Sequence, residues 1–238
     1  MASPEADPDL VYRHPRSGEA SHDRRDPVGE ARETFVEPAL AALGRVPPGL
    51  RILEIGFGRG LNTAAALRAL AGAGARRVLA LGLEPGHPAL EAPWPPAPPE
   101  LAPWAPWWGR ARGAWRLERD GLRARGCILG ERAGSALARS GASFDLVFLD
   151  LFSPGRHPED WDPGLEALLA ARCRPGAVLT TYCCARRLRE ALAAAGWRVE
   201  RRRRRGRKDA LRAVLEGPLE SPGRGFIMRR RDGSRPCP

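Results

Sequence analysis

"ILEIGFGRGLN", residues 52–62, decides the fold. An apolar run carries Glu54, glycines fall at 56, 58 and 60, and "LNTAAALRALAGAG" follows as an Ala/Leu-rich helix stopped by glycines. "RRVLALGLE" then supplies a second strand ending at Glu84. Strand, glycine turn, helix and strand make a βαβ unit. That implies a parallel sheet with a right-handed crossover and a ligand crevice at the carboxyl ends of its strands. Glycines in that turn permit a tight bend and a close approach of ligand to bare backbone.

The spacing G-x-G-x-G differs from the dinucleotide fingerprint G-x-G-x-x-G, whose third glycine packs helix on strand. Residue 61 is leucine here, and Glu54 stands just before the turn, where a pyrophosphate would be repelled. S-adenosylmethionine fits better, having no phosphate and carrying an amino group and a sulfonium that carboxylates complement. Glu84 is placed for the two ribose hydroxyls and Glu131, at the end of a later strand, for the adenine. The bland alternative is an ordinary glycine turn among surface acids.

Residues 1–30 are polar and proline-rich and read as a loosely structured arm. "EARETFVEPALAAL" opens a short helix, and "VPPG" breaks the chain before the first strand. After Glu84 comes a Pro/Trp-rich insertion with Trp104, Trp107 and Trp108, which are candidates for stacking on unpaired bases. "AWRLERDGLRARGCILGE" predicts a hairpin turning at Asp120–Gly121. "FDLVFLD" is an apolar, central strand ending in Asp150. Helix, strand and helix follow through residue 196, then two strands around a basic turn. The expected organisation is an arm (1–30), one α/β domain (31–216) with a mostly parallel seven-stranded sheet flanked by helices, and a mobile basic tail (217–238).

With 238 residues, 43% of them hydrophobic, the chain can bury one sizeable core. No apolar run approaches the roughly 20 residues of a membrane span, and the N-terminus has no signal-peptide core. The expectation is a soluble, cytoplasmic protein without a membrane partner. Five cysteines, with neither CxxC nor Cys/His zinc spacing, read as reduced structural thiols, and no metal is expected. A formal net charge of +11 favours polyanionic partners. The basic residues are nearly all arginine, a bias that GC-rich coding also produces.

The later half is more specific. "FDLVFLDLFSPGRHPEDW" and the segment to "GRKDAL" resemble the methyltransferase domain that finishes 5-methylaminomethyl(-2-thio)uridine in bacterial tRNA. That family shows FLDGFAPxxxPxxW, matched here by Leu149, Asp150, Phe152, Pro154, Pro158 and Trp161. Its RPGGxxxT is matched by Arg174, Pro175, Gly176 and Thr180, and its AGF and basic turn by Ala195–Gly196–Trp197 and Gly206–Arg207–Lys208. The opening stretch resembles the same family's ExGFGxGLN, through Glu54, Gly56, Phe57, Gly58, Gly60, Leu61 and Asn62. The resemblance covers roughly residues 10 to 216. Leu151 and Ser153 depart from it, standing where the family has glycine and alanine.

The resemblance implies a Rossmann-like class I methyltransferase that binds S-adenosylmethionine through those seven residues with Glu84, Glu131 and Asp150. It implies methyl transfer to the primary amine of an aminomethyl-uridine at the wobble position, with the tRNA anticodon arm as partner. Asp150 is the candidate to orient the amine and take its proton. Phe152, Pro154 and Tyr182 are candidates for the substrate pocket or for core. Arg203, Arg204, Arg207 and Lys208 form either a phosphate-contact surface or a solvated edge strand. Bifunctional members also carry a flavin-dependent oxidase. The expected form here is the stand-alone methyltransferase, linked functionally to a separate flavin-dependent or other enzyme that supplies the aminomethyl group. Two rivals remain: an aminopropyltransferase of the spermidine-synthase kind, and a non-catalytic RNA-binding protein on the same fold.

Overall fold

The computed structural model describes residues 10–14, 16–86, 94–110, 112–204 and 208–217. The expected tail, Cys237 and Arg207 lie outside them. Eight strands form one sheet in the order β3-β4-β2-β1-β5-β6-β8-β7. They are β1 (Gly49–Ile55), β2 (Arg77–Leu83), β3 (Gly113–Arg119), β4 (Leu122–Leu129), β5 (Phe144–Leu149), β6 (Cys173–Thr181), β7 (Trp197–Arg202) and β8 (Ala210–Leu215). The five strands β4, β2, β1, β5 and β6 run parallel, while β3 and β8 are antiparallel to their neighbours. The sheet therefore has one strand more than the expected seven. The extra one is β3, the first arm of the hairpin, whose turn residues Asp120 and Gly121 both have positive φ (48° and 75°).

Helices cover both faces, as parallel strands buried on two sides require. One face carries α1 (Pro27–Glu30), a π-helical stretch (Ala31–Val36), α2 (Glu37–Leu43) and α3 (Leu61–Gly72). Its core includes Phe35 against Phe148 (ring centroids 6.1 Å apart), with Leu61, Leu67, Leu70 and Trp107. The other carries α4 (Ala133–Arg139), α5 (Leu165–Ala171) and α6 (Arg186–Ala194), packed on Leu53, Val147, Leu179 and Leu211. The seven residues of α4 carry too little apolar periodicity to announce a helix.

The tryptophans of the insertion are packing, not a stacking platform. Trp107 is only 1% exposed, lies against Phe57 and Trp115, and donates its indole N–H to the Arg59 carbonyl (3.0 Å). Trp104 is buried too, and Trp108 donates to the Pro95 carbonyl while meeting Trp94 edge-on. The insertion thereby braces the glycine turn and the start of α3.

From β1 the chain moves outward through β2 to β4, then returns to β5 on the other side of β1. That reversal between β1 and β5 opens a crevice at their carboxyl ends, where a doubly wound sheet binds its ligand.

Candidate active site

Three glycines build the floor of the crevice for three reasons. Gly56 (φ 77°) passes so close to β5 that a Cβ would stand 2.4 Å from the Asp150 carbonyl oxygen. A Cβ on Gly60 (φ 73°) would strike the Phe57 ring and the Trp107 indole. Gly58 (φ 50°) lines the cleft and has open space where a Cβ would be. A further glycine, Gly82 on β2, makes room for the Phe57 ring, which a Cβ there would meet at 2.3 Å.

Of the carboxylates carried by β1, β2 and β5, those after β2 and β5 line the cleft and the one on β1 lies beneath it. Glu84 follows β2 and accepts from the Gly58 amide (2.9 Å). Burial, above all, pushes its carboxyl up. Asp150 follows β5, its side chain 6% exposed, with Oδ2 accepting from Asn62 Nδ2 at 2.7 Å. Burial raises Asp150 to about 6, opposed by the neighbouring His22 and the Asn62 hydrogen bond.

Glu54 and Asn62 do not line the cleft. Both are essentially fully buried under it. Glu54 accepts from Asn62 Nδ2 (3.0 Å) and from the amide (3.1 Å) and hydroxyl of Thr63, so it fastens the first turn of α3 to β1. Asn62 thus spans Glu54 and Asp150. Burial, with Asp150 adding to it, raises Glu54 to about 8 against its hydrogen bonds. The motif led to the expectation of direct cofactor contacts from both; the structure gives them hydrogen bonds beneath the cleft.

Folded Glu54 therefore keeps its proton to about pH 8, whereas an unfolded glutamate loses it near 4.5. Across that interval the folded state binds more protons, and its stability falls as pH rises. Asp150 adds a slope of the same sign between 3.8 and about 6. Glu54→Gln should flatten the decline in Tm between pH 6 and 8.5, measured by thermal unfolding at several pH values. An unchanged slope would mean that Glu54 is ionised in the fold.

The N-terminal arm is irregular, as its sequence implies, but it is not loose where described. Leu10 and Val11 are buried, and Tyr12, Ser21 and His22 line the cleft. His22 Nε2 stands 3.8 Å from Asp150 Oδ2 and its Nδ1 3.4 Å from Glu30 Oε2. Burial alone would lower His22, but Glu30 and Asp150 outweigh it and raise it. Glu19 clamps the loop after β5, accepting from the Ser153 amide (3.0 Å) and hydroxyl (2.8 Å). Ser153, a departure from the resembled motif, is thus one half of the clamp. Tyr182 donates to the Leu151 carbonyl (2.7 Å), with Glu19 Oε1 at 3.1 Å. Behind it His157 is buried, 2.7 Å from Ser17 Oγ and with its ring centroid 3.9 Å from that of His14. No periodicity announces the arm, since its residues act one by one; its histidines and acids were the available signal.

Phe57, Leu61, Leu151, Phe152 and Tyr182 line the cleft, as does Asp160, which sequence reasoning missed. Trp161 holds Phe152 by donating to its carbonyl at 2.8 Å. Pro154 lies outside the lining, and so does Glu131, which pairs with Arg139 on the surface. In the basic turn Arg203 and Lys208 are exposed at the same sheet edge as the cleft. Arg204 is otherwise engaged, with Nη1 donating to Thr34 Oγ1 (2.7 Å) and Nε to the Lys208 carbonyl (2.9 Å). It ties the turn to the π-helical stretch rather than presenting a phosphate contact.

Open backbone at Gly58 with acids at 84, 150 and 160 makes a donor set suited to a cationic, hydroxyl-rich ligand without phosphate. The comparisons agree. Residues 102–216 match a family described as S-adenosyl-L-methionine-dependent methyltransferase. The chain carries a class I S-adenosylmethionine-dependent methyltransferase domain. A tRNA 5-methylaminomethyl-2-thiouridine biosynthesis bifunctional protein MnmC from Caulobacter sp. (strain K31) is 34% identical over 251 residues, covering 94% of this chain and 41% of the relative. The protein of the same name from Pseudomonas paraeruginosa (strain DSM 24068 / PA7) is 31% identical, covering 89% and 35%. This methyltransferase chain thus spans about two fifths or less of the length of these relatives. The crystal structure of MNMC2 from Aquifex aeolicus superposes with a TM-score of 0.72 at 23% identity, over 87% of this chain and 67% of that one, which establishes the fold. Among the described residues no helix is long and apolar enough to cross a membrane, and no group of three or more His, Cys, Asp or Glu is set to hold a metal.

Proposed function

We propose that this methyltransferase N-methylates the aminomethyl group of 5-aminomethyl(-2-thio)uridine at the wobble position of tRNA, giving 5-methylaminomethyl(-2-thio)uridine. The observation that carries the reading is Asp150: an aspartate at the carboxyl end of β5, beside the glycine turn, fixed from below by Asn62 and flanked by His22. The names of the relatives supply the substrate class.

S-adenosylmethionine supplies an electrophilic methyl group when bound. Glu84 is the residue to hold its ribose hydroxyls, and the Gly56–Gly58 backbone the polar groups beside them. Asp150 accepts a hydrogen bond from the substrate amine and, as methyl transfer turns that primary amine into a secondary ammonium, takes its proton at a carboxylate oxygen. Burial alone would leave Asp150 protonated too readily, and the His22 charge offsets that. Leu151, Phe152 and Tyr182 wall the cleft with apolar surface that strips water from the amine, and only a desolvated, neutral amine is a strong nucleophile. A separate enzyme or domain would supply the aminomethyl group, and the cytoplasm is the compartment that supplies both substrates.

The test is to incubate the purified protein with S-adenosylmethionine and tRNA from a strain lacking this methylation, then to analyse wobble nucleosides by mass. Conversion of aminomethyl-uridine into a product one methyl heavier is expected. Cofactor binding without conversion would move the activity to another amine. Absence of cofactor binding in calorimetry would leave an RNA-binding protein on a methyltransferase fold.

A further inference from the structure

A second charged surface lies at the opposite, amino end of the strands. The α4–α6 layer covers β5, β6 and β8 but leaves bare the near halves of β1, β2, β4 and β3, where an open groove of about 700 Å³ forms. Register places the side chains of this face in rows. Arg51, Leu79, Arg125 and Arg116 stand side by side across four strands, and Arg77, Arg123 and Glu118 occupy the next row. Leu79 gives the groove an apolar floor, and Arg174 closes one side.

Acids do not balance these cations. Glu118 pairs with Arg123 (3.2 Å) and Asp145 with Arg174 (2.8 Å). The guanidinium groups of Arg51, Arg77, Arg116 and Arg125 have no carboxylate partner among the described residues, although the Arg51 amide donates to Asp145 Oδ2 (2.7 Å). Arg116 and Arg125 are moreover directly opposite on antiparallel strands, a like-charge pairing that works against the sheet. Charges that only guard a sheet edge belong on edge strands, yet Arg51 and Arg77 lie on β1 and β2, three and two strands inside the β3 edge. Guanidinium groups recurring along and across strands match the repeated oxygens of a phosphate backbone, which Arg binds in bidentate fashion.

We propose that this face is a docking surface for the sugar–phosphate backbone of tRNA, gripping a helical part of the molecule away from the methylated base. The proposal rests on the tRNA reading above. It divides labour between the two ends of the sheet: the carboxyl end holds one nucleotide, and the amino end, about 20 Å away along a seven-residue strand, holds backbone irrespective of sequence.

The test compares wild type with Arg116→Gln/Arg125→Gln, which keeps the aliphatic stem and a polar end while relieving a like-charge contact, so folding should be unimpaired and Tm unchanged or raised. Binding of fluorescently labelled bulk tRNA is titrated at several salt concentrations. The double variant should bind about tenfold more weakly, with the slope of log K against log salt reduced by about 2, since each lost phosphate contact removes roughly 0.9. KM for tRNA should rise while kcat and the affinity for S-adenosylmethionine stay unchanged. Wild-type affinity and slope in the variant would overturn the proposal, as would arginine-dependent binding of anionic lipid vesicles in place of tRNA. If wild type fails to methylate tRNA but still binds it through these arginines, the activity reading falls and the docking surface stands.

Discussion

Asp150→Asn should cut the rate of methyl transfer to tRNA by about a thousandfold, the middle of the range for a positioned acid or base. The amide keeps the size of the carboxylate and can still meet Asn62, so the fold should survive, and S-adenosylmethionine should bind within about tenfold of wild type. Single-turnover transfer and calorimetry together separate these effects, and near-normal turnover would remove Asp150 from the chemistry. The wild-type rate should fall below about pH 6, as Asp150 takes a proton and ceases to accept one from the amine. His22 lowers Asp150 by its charge. His22→Gln should therefore shift this acid limb to higher pH while leaving the rate well above it less affected. A merely structural histidine would change Tm and not the position of the limb.

Gly56→Ala should have the largest effect on stability. Its φ of 77° is strained for any side chain, and the new Cβ would meet the Asp150 carbonyl at 2.4 Å, backbone against backbone with no rotamer to give way. Left-handed strain of about 1–2 kcal/mol and overpacking of about 1–3 kcal/mol together suggest a loss near 3 kcal/mol. That corresponds to a fall in Tm of roughly 10 °C for a chain of this size. Relief of the clash would spread β1 from β5 at the crevice, so cofactor binding should be lost even below the melting transition. Gly58→Ala, by contrast, meets no atom within 4 Å. It should retain more of the wild-type Tm while losing affinity, because its Cβ would project into ligand space. Equal Tm values for the two variants would refute this division of roles.

The parallel strands were readable because each is a short apolar run with a turn signal behind it, whereas their order in the sheet was not. The glycine turn and Asp150 were readable because their chemistry sits in contiguous motifs. What the sequence concealed depends on distance along the chain. His22 reaches Asp150 across more than a hundred residues, and Glu19 meets Ser153 with a separation of 134. Polar residues in an aperiodic arm look alike whether they face solvent or a cleft. Clustering in sequence likewise marks charge without marking partners: Arg204 of the basic turn is engaged by Thr34, 170 positions away. The arginines of the opposite face are scattered over four strands and converge only through register.

Asn62 spends both hydrogens of one amide on two different acids, Glu54 and Asp150. The protonation equilibria of those acids are consequently linked, and an apparent pKa taken from the kinetics belongs to the joined unit rather than to Asp150 alone. A substitution at Glu54, buried beneath the cleft, would then reset the pH at which the enzyme begins to turn over.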